Sequence, residues 1–168
     1  MAGSILGTRV LRTEDPELLT GAGRFVDDLL LHDPLHVVFV RSEMAHARLL
    51  EVHSEQARAM PGVVGVLTAA DLGVRPHHGM VKVHGDFARS PLAEGKVRFV
   101  GEAVAAVVAE SAVQARDAAD LVVVDYEPLA AVTDTRDAIT PGAPQLHGEA
   151  AGNVVFRFER GDSAGVDA

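Results

Sequence analysis

Short apolar runs, separated by glycine, proline and charged residues, organise this chain. Val37, Val38, Phe39 and Val40 are β-formers, so His36–Arg41 predicts a strand. A second apolar segment, Leu49–Val52, leads to Ser54. Ser54 is placed to cap a helix that starts at Glu55, where an acid suits the positive end of the helix dipole. Pro61-Gly62 stops that helix, and Val63–Leu67 reads as the next strand. The same grammar returns later. Ala103–Ala109 is apolar without alternation, as in a strand covered on both faces. Ser111 and Gln114 have the spacing of a capping box for a helix reaching about Asp120, and Leu121–Asp125 follows as a strand. The connecting helix of this second unit is long enough for a right-handed parallel crossover. The expected class is therefore α+β (α/β-like), with a mixed sheet and two βαβ-like units. Their likeness reads as shared grammar rather than duplication.

The flanks lack such periodicity. Residues 1–35 read as an extended arm, punctuated by Gly21, Gly23 and Pro34, with a turn of helix at Pro16–Leu19. Residues 36–160 form the expected domain, and residues 161–168 a linker or frayed tail. Gly73–Gly95 is a loop between the two units, preceded by a second possible capping box at Thr68 and Asp71. A short helix around Asp134–Ile139 ends at Pro141-Gly142.

Composition narrows the function classes. The chain has 168 residues, 48% hydrophobic and 23% charged, which suits one globular domain. Fifteen Lys plus Arg against 24 Asp plus Glu give a net charge of −9, a poor start for binding nucleic acid or anionic membrane. With six Phe, one Tyr and no Trp, an aromatic stacking platform is not expected. Cysteine is absent, so this chain holds no disulfide, thiolate nucleophile or cysteine-ligated cluster. That fits a reducing, cytoplasmic setting. No apolar run approaches a membrane span, and the first residues do not read as a secretory signal.

No complete catalytic set is visible. His77, His78 and His84 share one loop, but their spacing matches no ligand pattern, and a solvated loop is the reading. No metal, cofactor or catalytic residue is therefore assigned. His46 lies just past a strand end, where functional groups collect in α/β sheets; a hydrogen-bonded turn histidine is the competing reading. Gly21-Ala22-Gly23 lacks the third glycine and preceding strand of a dinucleotide site. Gly101-Glu102 sits between two apolar segments, so its carboxylate is either exposed in a turn or paired across an interface.

The same residues carry a family resemblance. Arg12-Thr13-Glu14-Asp15-Pro16, with Leu18 through Asp28, resembles the opening of bacterial molybdenum hydroxylase large subunits. Leu35 through Ser42, Ala45-His46-Ala47-Arg48, Pro61-Gly62-Val63 and Leu67 through Leu72 follow in family order. So do Val97 through Ala105, Asp117 through Asp120, and Val124 through Leu129. The family comprises xanthine dehydrogenase, aldehyde oxidase and aerobic carbon monoxide dehydrogenase, and the likeness is nearest the carbon monoxide dehydrogenase branch. The matching region is the family's N-terminal a/b hammerhead domain.

The resemblance implies a structural or assembly domain that is not catalytic alone. In the family, the complete enzyme hydroxylates a substrate carbon with oxygen from water, or oxidises carbon monoxide. It carries a molybdenum–pterin cofactor (cytosine dinucleotide type), and electrons leave through iron–sulfur and flavin subunits. The implied partners are the remaining molybdenum-binding domains or subunit, an iron–sulfur subunit and a flavin subunit. The natural-looking start reads as an intact N-terminus. The family's cofactor ligands and catalytic glutamate have no counterpart in this sequence. The candidate interface residues are Arg12, Asp28, Arg41, His46, Gly101 and Glu102. The alternative is a stand-alone scaffold or protein-binding module that kept the fold without a redox role.

Overall fold

A computed structural model describes residues 7, 11–80, 87–148, 151–158, 160–161 and 165. The chain divides into two compact units, Met1–Pro34 and Leu35–Ala168. In the first, helix α1 (Asp15–Leu19) has Pro16 in its first turn, where the missing N–H costs nothing. A 3₁₀ turn at Val26–Asp28 follows, closed by the Asp28 carboxylate accepting from the Phe25 N–H at 2.8 Å. Neither element has a buried residue.

The second unit runs β1 (His36–Arg41), β2 (Ala47–His53), α2 (Glu55–Arg58), β3 (Val63–Leu67), α3 (Ala69–Leu72) and β4 (Lys96–Val97). Then come β5 (Ala103–Ala109), α4 (Ala112–Ala119), β6 (Val123–Pro128) and α5 (Thr135–Ala138). Sheet A has the order β1-β5-β3 and sheet B the order β4-β2-β6. Sheet A buries Val66, Ala105 and Val107 against Ala57 of α2, Ala118 of α4 and Val122. A second cluster joins Val104 to Ala47 and Val97 of sheet B.

The α+β class stands, but the mixed sheet and the βαβ units do not. Among the described residues every strand ladder is antiparallel. The helix after β2 leads to β3 in the other sheet, and the helix after β5 leads to β6 in the other sheet. Helix α2 is four residues long, too short to carry the chain back for a parallel return in one sheet. The first strand of each unit therefore pairs with partners distant in sequence.

The caps differ in detail from their sequence signatures. Ser111 Oγ accepts from the Gln114 N–H, but the same hydroxyl donates to Gln114 Oε1, so the glutamine does not reach back to the backbone. Ser54 makes no cap bond; its hydroxyl accepts instead from Arg58 Nε at 3.0 Å. Thr68 and Asp71 do close a capping box. Gly62 has φ +80°, which favours glycine, and a Cβ there would push the Gln114 side chain aside, so the β3 entry and the α4 start meet at this residue. His84 and most of the expected tail lie outside the described residues.

Candidate functional site

Two crossings between the sheets lie side by side. One is the loop from β1 to β2, and the other is the segment from β4 to β5. They are stitched together by backbone bonds. The Ser42 N–H donates to the Glu102 carbonyl at 2.9 Å, and the Gly101 N–H to the Ser42 carbonyl at 2.7 Å. Arg41 Nη1 adds a bond to the Gly101 carbonyl at 2.8 Å. Gly101 has φ +90°, a conformation that costs little only for glycine. Ser42 is buried, and its hydroxyl exchanges bonds with the Met44 backbone at 3.0 Å.

Glu102 is buried, and its carboxylate accepts from the Arg98 N–H. Of the two expectations for this residue, exposure in a turn does not hold, because the carboxylate is turned inward onto a backbone N–H. That hydrogen bond offsets part of the cost of burying the group. His46, at the far end of the β1–β2 loop, is 6% exposed. Its Nδ1 meets the Ala130 carbonyl at 2.7 Å, while its buried Nε2 has no hydrogen-bond partner. The structure thus brings Arg41, Gly101 and Glu102 together, with His46 on the same loop. Arg12 and Asp28 belong to the other unit; Arg12 is 4.0 Å from Asp15, and Asp28 is used in its own turn.

The faces of the two sheets differ sharply. On the outer face of sheet A, Val37, Val108 and Gly65 form one rung, and Phe39, Ala106 and Leu67 the next. Val37 and Phe39 are exposed, and the Arg41 guanidinium lies 5.6 Å from the Phe39 ring centre. A groove of about 640 Å³ separates the free edge of β1 from that of β6, lined by Val38, Phe39, Arg41, Val124 and Tyr126. A cavity of about 320 Å³ lies among Phe87, Arg89, Arg98, Phe99 and His147. The Phe87 and His147 rings stand 4.5 Å apart, and the Arg89 guanidinium is 6.0 Å from the Phe99 ring centre.

Sheet B carries its charge outward. Arg48 pairs with Glu127 at 2.8 Å across β2 and β6. One rung further, His53 Nε2 lies 2.9 Å from Asp125, and His53 Nδ1 lies 3.9 Å from Glu51. The hydrogen bond to Asp125, aided by the fields of Glu51 and Glu55, raises the His53 pKa above its usual value. Burial and the nearby Arg98 and Arg48 lower that of Lys96. Sequence reasoning missed the Glu51–His53–Asp125 cluster. Its local signal was two ligand-type side chains two apart on one strand; the third comes from a strand more than seventy residues on. The loop histidines do not form such a cluster among the described residues: His77 bridges by its backbone to Arg89, and His78 Nδ1 is buried without a partner.

Comparison with known proteins places these features in a family. Residues 20–130 match the family model described as the aldehyde oxidase and xanthine dehydrogenase a/b hammerhead domain. The carbon monoxide dehydrogenase large chain of Afipia carboxidovorans is 42% identical over 175 residues, covering 97% of this chain and 22% of that protein. The xanthine dehydrogenase molybdenum-binding subunit of Escherichia coli O157:H7 is 32% identical, covering 82% of this chain and 19% of that one. Among solved structures, the Cu,Mo-CO dehydrogenase superposes with a TM-score of 0.79 at 38% identity, over 96% of this chain and 22% of that one. Quinoline 2-oxidoreductase from Pseudomonas putida 86 superposes at 0.76 with 43% identity, over 91% of this chain and 20% of that one. The chain spans about a fifth of the length of these relatives.

Proposed function

This chain belongs to the aldehyde oxidase and xanthine dehydrogenase a/b hammerhead family, and from that membership we propose that it is the structural and assembly domain of a molybdenum-cofactor oxidoreductase, not catalytic alone. One observation supports this most directly. Strand β5 is apolar on both faces, the pattern of a sheet built for two covers. Helices α2 and α4 cover one face. The other is covered at its Val104 end by Ala47 and Val97 of sheet B, and at β1 it presents Val37 and Phe39 to solvent. The occupant we assign to that face is the rest of a large subunit, because the relatives are about five times longer than the stretch they share with this chain. Apolar surface of this kind marks a site meant to be covered. Arg41, His46, Gly101 and Glu102 belong to the same reading, as the rigid joint that sets the angle between the two sheets. Arg12 and Asp28 mark a second contact on the arm.

The molybdenum–pterin cofactor belongs elsewhere in this reading. A dinucleotide pterin needs cations and free backbone donors for its phosphates. The guanidiniums of Arg41, Arg58 and Arg98 are instead turned onto the backbone carbonyls of Gly101, Val66, Leu146 and Lys96. We therefore place the cofactor in the remaining part of the large subunit. The cytosine dinucleotide form, the iron–sulfur and flavin subunits and a cytoplasmic setting are parts of the proposal for the complete enzyme.

The test is a graft. This chain replaces the matching segment of the Afipia carboxidovorans large chain, and assembly is followed by size-exclusion chromatography and molybdenum content. The graft should assemble. Phe39→Asp, which leaves the inner core alone, should abolish assembly while the free domain still unfolds cooperatively. Assembly unaffected by Phe39→Asp, or a folded graft that never assembles, would overturn the reading.

A further inference from the structure

We propose that Glu51, His53 and Asp125 form a binding site for a divalent transition-metal ion of the zinc type on the outer face of sheet B. One ligand atom from each of the three side chains can be chosen so that all lie within 4.8 Å of one another. The set combines one imidazole nitrogen with two carboxylate oxygens, a mixture that suits zinc, cobalt or nickel better than the all-oxygen shells of calcium and magnesium.

Backbone geometry holds the site. The ladder between β2 and β6 shifts by one residue between Leu49 and Glu51. Before the shift, Ala47 and Leu49 point into the core; after it, Val52 does. Glu51 and His53 are thereby turned outward on the same face, with Asp125 directly across from Glu51. Two ligands two apart on one strand and a third on the neighbouring strand need no loop to order on binding.

The charge pattern also favours a cation here. Like charges directly opposite each other in an antiparallel ladder are destabilising. On this strand pair, the Arg48–Glu127 rung is complementary, whereas the Glu51–Asp125 rung sets acid against acid. Among the described residues, neither Glu51 nor Asp125 has an Arg or Lys within ion-pair distance. Glu55, at the start of α2, adds a further negative field. Histidine is therefore the one basic group serving three acids, and a divalent ion would neutralise more of that charge. His53 Nε2 and Asp125 stand 2.9 Å apart in a hydrogen bond, and an ion would enter by displacing its proton and widening that spacing slightly. Glu51 is largely exposed and free to swing inward. Water completes the coordination, so the ion is exchangeable.

The experiment is calorimetric titration of the metal-stripped, tag-free chain with zinc chloride, and with cobalt chloride followed by visible absorption. One ion per chain is expected, with the cobalt spectrum showing nitrogen and oxygen ligands. His53→Ala and Asp125→Asn should each weaken binding by roughly tenfold or more, since loss of even an outer partner of a ligand costs that much. A variant of His77 and His78 to Ala should bind like the parent. If His53→Ala does not fold, Glu51→Gln carries the test with the same expected loss. Absence of saturable binding, or binding lost only in the His77/His78 variant, would overturn the proposal.

Discussion

Sheets A and B are the same size, three strands each, yet they are built on opposite principles. Sheet A is apolar at its centre on both faces: strand β5 buries Ala105 and Val107 on one side and Val104 and Ala106 on the other. Sheet B is two-faced: Ala47, Leu49 and Val52 go inward, while Arg48, Glu51 and His53 face outward across from Glu127, Asp125 and Val123. The difference separates two jobs. Sheet B presents a mixed face, on which Leu50 and Val123 lie exposed beside the charges. A sheet apolar on both faces asks for a second layer, and the exposed Val37 and Phe39 show where it goes.

The comparison can be broken by charge substitution. Val107→Asp in sheet A should cost at least about 3 kcal/mol, because it buries an unpaired carboxylate and removes packing. Val123→Asp on the outer face of edge strand β6 should cost below about 0.5 kcal/mol, since that position is exposed. Equal losses in denaturant titrations of the two variants would mean that the sheets do not differ as described.

Two further changes probe how sheet A is closed over by α4. Gly62→Ala combines a positive φ with contact against the Gln114 side chain, and should lose roughly 1–2 kcal/mol. Ser111→Ala removes the α4 cap and should lose about 1 kcal/mol. Both are read as shifts in melting temperature, and the order between them tests whether the β3 entry or the helix cap matters more.

The smallest expected effect is a titration just after β3. The Asp71 carboxylate is held below its usual pKa by the Thr68 N–H and then by the Thr68 hydroxyl. The bond is weakened by protonation, so its contribution is present above the unfolded value near 3.8 and fades as pH falls through the depressed folded value. In Thr68→Ala, carbon-detected NMR should show the Asp71 midpoint moving up toward 3.8. An unmoved midpoint would assign the shift to the backbone bond alone.

Local chemistry was legible in the sequence. The strands at His36–Arg41, Val63–Leu67 and Ala103–Ala109 and the short helices that follow Ser111 and Asp134 are written in β-branched runs, caps and Pro-Gly stops. These signals act over a few residues and need no distant partner. The ordered motifs from Arg12 to Leu129 identified the family. What sequence periodicity could not decide was pairing. A β–α–β order looks the same whether the second strand returns to its own sheet or crosses to another, and α2 is simply too short to return. Nor could it place Glu51 and His53. Strict alternation with Ala47 and Leu49 would turn them inward, and only the bulge opposite β6 turns them out to meet Asp125. Glu102 is the same case: a carboxylate in an apolar stretch has no evident partner in sequence, because its partner is a backbone N–H supplied by the turn at Arg98. Side-chain identity set which segments could be strands and where helices start. Register, bulges and the choice of sheet were decided by tertiary contacts, because strand hydrogen bonds are made between segments and not within them.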